Sequence, residues 1–362
     1  MATGWPMKTT YLDGDVYSAQ DVNDITGTIN LLQTNTLSRS AGKNAVINGG
    51  MDIWQRGTTF ALAASVPTYT ADRWYNARSA TGQTVSRQVT GDTTNLPNIQ
   101  YCARVQRDNA NTSTAEVRLA QAFETVNSIP LAGQVVTLSF YARRGANYSS
   151  ASNFLGSQIV IGTGTDQNAL TSGYTGQSTL SSATPTLTTT WQRFTQTATI
   201  PATATEITTL FTYTPVGTAG AADFFEITGV QLELGSYATT FSRAGGTIQG
   251  ELAACQRYYW RGSTTNAYGS WGGGSAASTT QANVIITLPV TMRTSPASVD
   301  FSTLRLNDTA VANAATNVTL SGDTSAQTAL VNVTGTGLTT YRYNVLQNNN
   351  STSGYIGFSA EL

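Results

Sequence analysis

The chain has 362 residues, of which 11% are charged, against about 25% in an ordinary globular protein. Histidine is absent, lysine occurs only at Lys8 and Lys43, and the net charge is −1. These counts exclude His-dependent nucleophilic catalysis, His-ligated metals and a histidine pH switch, and they argue against a nucleic-acid partner, which needs a basic surface.

Residues 1–17 read as extended, with Pro6 and the turn Asp13-Gly14-Asp15 between short apolar pieces. Ser18 suits an N-cap, and Val22, Ile25, Ile29 and Leu32 then recur at helical spacing. That stripe packs either on its own domain or against other copies in a short helical bundle. Residues 33–44 are polar and read as a linker.

From Ala45 the pattern is that of short strands broken by turn residues. The expected strands are Ala45–Ile53, Arg73–Arg78, Thr84–Thr90, Tyr101–Arg107, Ala115–Ala122, Val135–Arg143, Gln158–Gly162, Trp191–Thr199, Thr205–Tyr213 and Phe224–Leu234. So many strands without helices between them indicate a β-sandwich or barrel. Gly162–Thr190 reads as a long surface loop.

Gly245-Gly246 marks a second boundary, and Thr247–Trp260 reads as a short helix. Gly269–Thr280 reads as a flexible loop. Further strands are expected at Gln281–Leu288, Pro296–Leu304, Thr316–Leu320, Ala329–Val333, Leu338–Leu346 and Gly354–Glu361. The expected class is mainly β, in three parts: an attachment segment at 1–42, a sandwich at 43–244 and a smaller β domain at 245–362.

The chemistry-bearing residues are few. A glycan-cleaving site would need two carboxylates, and Glu226 and Glu233 are the best pair. Seven apart on one strand, they point to opposite faces unless a bulge at Gly229 intervenes. Asp72 and Asp52 lie beside Arg73 and Arg56, where ion pairing is the simpler account. Cys102 and Cys255 read as buried thiols, too few for a disulfide framework or metal cluster. Trp54, Trp74 and Trp191 read as core. Tyr258, Tyr259, Trp260, Tyr268 and Trp271 cluster around the helix end and the glycine-rich stretch, and suit sugar stacking, a protomer interface or plain packing. No apolar run reaches the 18 or so residues of a membrane span, and MATGWPMKTT lacks an apolar signal core, so a soluble protein made in a reducing cytosol is expected.

Several runs resemble bacteriophage proteins. VINGGMDIWQRG (Val46–Gly57) and TADRWY (Thr70–Tyr75) are similar to the opening of jelly-roll modules in phage tail-fibre and virion appendage proteins. VTLSFYARR (Val136–Arg144), WQRFTQTATIP (Trp191–Pro201) and ITGVQLELGSYATTF (Ile227–Phe241) resemble the sandwiches called carbohydrate-binding modules. GELAACQRYYWR (Gly250–Arg261), ITLPVTMRTSPA (Ile286–Ala297) and GFSAEL resemble the C-terminal tip of such phage proteins, and Lys8–Leu32 resembles a virion-attachment segment.

The resemblance implies a homotrimeric virion structural protein. It would attach to other virion proteins through residues 1–42 and bind host-surface glycan non-catalytically through its C-terminal half. The alternatives are a purely structural head or collar fibre, or a decoration protein, and then a glycan-cleaving tailspike. No cofactor is expected. A structural Ca²⁺ held by backbone carbonyls would leave no sequence trace. The short front segment, without a fibre shaft, leaves tail and head positions both open.

Overall fold

Alternating apolar and polar residues become two face-packed sheets in the first half of the molecule. The coordinates are a computed structural model and describe residues 42–362 apart from 78 and 309. The stripe Val22, Ile25, Ile29 and Leu32 lies outside the described residues.

One six-stranded sheet runs in the order β1 (Thr59–Leu62), β4 (Gln83–Val89), β5 (Tyr101–Arg107), β12 (Phe224–Leu234), β7 (Val135–Arg144), β10 (Gln192–Thr199). The other runs β2 (Thr68–Tyr69), β3 (Tyr75–Ala77), β6 (Val117–Ala122), β11 (Glu206–Tyr213), β8 (Gly156–Gly162), β9 (Ser178–Ala183). Every neighbouring pair is antiparallel. Val85, Val105, Leu138 and Ile227 from one sheet meet Leu119, Ile159 and Phe211 from the other. Phe140 and Phe211 cross the sandwich edge to face, 4.8 Å apart. Full burial of each such side chain contributes about 1.5–3 kcal/mol. Trp54 and Trp74 belong to this core, while Trp191 lies in a separate small cluster with Leu96, Ile99 and Cys102.

Two short helices follow from local sequence. α1 (Thr125–Ser128) is a single turn. α2 (Ile248–Gln256) is capped by Thr247, whose side chain accepts from the Gly250 N–H at 3.1 Å. Beyond it lie a three-stranded sheet, β13 (Tyr259–Ser263), β22 (Tyr355–Ser359), β16 (Ser298–Ser302), and a seven-stranded sheet. The latter runs β18 (Ala312–Ala314), β17 (Leu304–Asn307), β21 (Tyr343–Asn348), β14 (Ser270–Ala276), β15 (Gln281–Thr287), β20 (Thr328–Thr334), β19 (Asn317–Leu320). Val284, Ile286, Val331 and Leu346 pack on Ile356 and Phe358 between them.

The structure corrects several readings. Ala45–Ile53 is a turn-rich segment, not a strand. The Asn48 side chain takes the contacts a ladder would need: its amide donates to the Ile53 and Asp72 carbonyls and accepts from the Ile53 N–H. The stretch Gly162–Thr190 contains β9, and Gly269–Thr280 contains β14, the centre of the seven-stranded sheet. A Cβ at Gly272 would stand 2.2 Å from the Ile285 oxygen, and one at Gly274 1.8 Å from the Asn283 oxygen. These glycines allow close strand approach rather than flexibility. The helix at 247–260 stops at Gln256, and Tyr259-Trp260 begins β13. Leu338–Leu346 is strand only from Tyr343.

Candidate functional site

The five aromatic candidates separate into three environments. Tyr258 and Tyr259 are buried where residues after Gly246 meet the sandwich. Tyr258 donates to Glu124 at 2.8 Å, and the Arg73 guanidinium lies 3.6 Å above its ring. Burial pushes its phenol up to about 12. Tyr259 donates to Asp300 at 3.0–3.1 Å and lies 3.5 Å beneath Arg56. Neither ring is open to a free ligand. Trp260 stacks on Phe358, with ring planes 4° apart, and Trp271 donates to Asn348 at 3.0 Å. Both indoles close on Gly262, whose missing Cβ makes room for them.

Tyr268 alone of the five is exposed, at 45%. It stands on the outer face of the seven-stranded sheet, stacked against Arg305 at 4.4 Å. Arg305 in turn donates to Gln347 at 3.1–3.3 Å, and Gln347 donates to Ser270 at 3.2 Å.

The register extends this face across five strands. One cross-strand row reads Asn307, Val345, Gly273, Ile285, Leu330. The next reads Tyr343, Ser275, Asn283, Asn332, Thr319. Tyr343, 62% exposed, lies across β14, and its hydroxyl fills the space a Cβ on Gly273 would take. The glycine therefore seats an aromatic ring over the sheet. The two rows carry no Asp, Glu or Lys. The amides and hydroxyls of Asn307, Ser275, Asn283, Asn332 and Thr319, each able to donate and accept, lie among the aliphatic Val345, Ile285 and Leu330, beside two phenol rings and one guanidinium. Such a face can stack on a flat apolar ring and hydrogen-bond neutral hydroxyls. Sequence reasoning found Tyr268 but missed Tyr343 and Arg305. The only signal was the GGG run, whose pairing with Tyr343 depends on register.

The carboxylate candidates are engaged elsewhere. Gly229 adopts φ 59° and the β12–β7 register shifts between Thr228 and Gln231, so a bulge is present. Ile227, Val230 and Leu232 face the core, which leaves Glu226 and Glu233 on the same outer side. Glu226 is buried between Arg104, at 2.6–2.9 Å, and Arg143. Glu233 accepts from Thr239 N and Oγ1 at 2.8 and 2.6 Å and from Gln231 at 2.6 Å. Asp72 and Asp52 do not pair with their sequence neighbours: Asp52 pairs with Arg243 at 2.8 Å, and Asp72 accepts from Gln55. Arg56 and Arg73 both reach Glu361. Cys102 and Cys255 are buried, and desolvation raises both thiols.

A cavity of about 500 Å³ lies beside Gly42 and is walled by Ala45, Ile47, Pro130, Leu131 and Leu234, with Lys43, Asn44, Asn127 and Glu233 also lining it.

No family model and no curated sequence matches this chain. Among solved structures, the enzymatically active domain of bacteriophage CBA120 tailspike protein 4 is 13% identical at a TM-score of 0.33. The match covers 53% of this chain and 21% of that one. A carbohydrate-binding module of family CBM4 is 16% identical at 0.31, over 52% of this chain and 98% of that one. A CBM 22 xylan-binding domain is 16% identical at 0.27, over 52% and 98%. The chain thus spans about a fifth of the tailspike domain.

Proposed function

We propose that this chain is a non-catalytic glycan-binding component of a bacteriophage particle, a tail fibre or similar appendage. The face of Tyr268, Arg305, Tyr343 and their amide neighbours is its binding surface. The virion role, the homotrimer and attachment through residues 1–42 rest on the sequence resemblance. The observation that carries the binding role is the seating of two exposed phenol rings on a sheet face whose cross-strand rows hold no acid or lysine. Flat rings flanked by neutral donors and acceptors match the two sides of a sugar, its apolar face and its hydroxyl edge.

A shallow face of this kind binds weakly per copy. Three copies on one fibre, and several fibres on one particle, raise the apparent affinity by about 10²–10⁴. Because neutral hydrogen bonds dominate, binding should change little with ionic strength.

The test is retention on immobilised bacterial surface polysaccharides, followed by an assay of the supernatant for new reducing ends. The reading expects retention on at least one neutral polysaccharide and no growth of reducing ends with time. Continued release of oligosaccharide would make the chain a glycan-cleaving tailspike instead. Absence of retention on every polysaccharide would favour a purely structural head or collar role.

A further inference from the structure

The polar residues that line the cavity beside Gly42 turn their polar ends into the protein. The Lys43 ammonium stands 3.6 Å from Glu233, and both side chains are buried. Asn44 donates to the Val230 and Ser242 carbonyls at 3.0 and 3.1 Å and accepts from the Val46 and Leu232 N–H groups. Asn127 donates to the Tyr258 hydroxyl at 3.3 Å. What remains for a visitor is mainly aliphatic carbon, from Ala45, Ile47, Pro130, Leu131 and Leu234.

The surface around the cavity is of the same kind. Val126 and Ile129 adjoin the lining residues Asn127 and Pro130. Val135 lies beside Leu234, because its carbonyl accepts from the Gly235 N–H at 2.8 Å. These four side chains, Val126, Ile129, Val135 and Leu234, are 40–59% exposed. Exposed hydrophobic residues scattered singly are ordinary, but four around one cavity mark a surface that something covers. The course of the chain points to the occupant. Gly42 lines the cavity and its N–H donates to the Ala244 carbonyl at 3.0 Å, so residues 1–41 begin at the cavity mouth. They lie outside the described residues and carry the stripe Val22, Ile25, Ile29, Leu32. Leu32 is joined to Gly42 by a tether that reaches at most about 35 Å. Held that close, the stripe meets the cavity at a local concentration on the order of millimolar, above that of a second copy free in solution. The chemistry matches as well, since both sides present branched aliphatic groups.

We propose that the stripe Val22, Ile25, Ile29, Leu32 docks in the cavity of its own chain, against Leu131 and Leu234, rather than against the same stripe in other copies. The segment before Gly42 then folds back on the sandwich, and contact with other proteins falls to the residues before Val22. This assignment does not depend on the Tyr268 face binding anything.

The experiment replaces the exposed Leu234 of the full chain with the photo-crosslinking residue p-benzoylphenylalanine. Illuminated protein is run on a denaturing gel, and crosslinked peptides are mapped by mass spectrometry separately from single-chain and joined-chain bands. The proposal expects crosslinks to residues 22–32 in the single-chain band. The double variant Ile25→Asp, Ile29→Asp should reduce them about tenfold or more, because two buried aliphatic groups are lost. The control Asn23→Asp, Thr28→Asp adds the same charge beside the stripe and should leave most of them in place. Crosslinks to residues 22–32 only in the joined-chain band would give the cavity to another copy and overturn the proposal. No crosslink to residues 22–32, or crosslinks that survive Ile25→Asp, Ile29→Asp, would overturn it too, as would equal loss in both double variants.

Discussion

Glu361 holds two guanidinium groups at once, Arg73 and Arg56, and its side chain is only 6% exposed. Arg73, 2% exposed, also donates to the Ala122 carbonyl at 2.7 Å and covers the Tyr258 ring. Breaking a buried pair leaves a charge without a partner, so Glu361→Gln should lower unfolding stability by about 3–5 kcal/mol, measured by chemical denaturation. Asp72 sits in the same region with its carboxyl pushed up to about 6, by burial first and against the pull of Arg56 and Gln55. The folded state therefore holds a proton that the unfolded chain releases near pH 4. Stability from this group is full below about pH 4 and is lost as pH rises through about 6. Relative to Asp72→Asn, the parent should lose on the order of 2–3 kcal/mol between those pH values, read from paired denaturation curves. A flat difference would remove Asp72 as the cause. None of these pairings was legible in the sequence. Adjacency suggested Asp72 with Arg73 and Asp52 with Arg56, yet the partners found, Glu361 and Arg243, stand far away in the chain. Consecutive residues of an extended chain face opposite ways, and a single sequence carries no record of distant contacts.

Strand elements were legible where one face is buried. β5 follows the alternation throughout and β12 follows it up to the bulge at Gly229, with Val105 and Ile227 pointing inward while Arg104 and Glu226 point to the other face. The glycine-rich β14 was not legible, because composition reads Gly-Gly-Gly as slack while the sheet uses it for close approach. The two uses make different predictions. Gly274→Ala places a Cβ against the Asn283 backbone and should cost more than 2 kcal/mol or abolish folding. Gly273→Ala meets the hydroxyl and ring end of Tyr343, a movable exposed side chain, and should fold while displacing that ring. Comparable melting temperatures for the two variants would refute the close-approach account. The turn at 45–53 escaped prediction for the opposite reason. Its apolar residues suggest a strand, but Asn48, at φ 56°, supplies hydrogen bonds of its own.

At the scale of the whole molecule, the mainly β class followed directly from composition and patterning. The proposed binding face did not, because it is assembled by register across neighbouring strands of the seven-stranded sheet and the turn before β14. Of the aromatic cluster around residues 258–271, four rings close structural contacts and Tyr268 remains on the surface. Surface chemistry in this chain is thus decided after folding, by which rings the sheets leave uncovered. The most direct test is retention of the full chain on immobilised neutral polysaccharide, comparing the parent with the double variant Tyr268→Ala, Tyr343→Ala at low and high salt. Both side chains are exposed, so the variant should melt within a few degrees of the parent. Loss of two stacking rings at about 1 kcal/mol or more each should weaken retention at least tenfold, with little change between the salt conditions. Equal retention of parent and variant would contradict the assignment of this face as the glycan-binding surface.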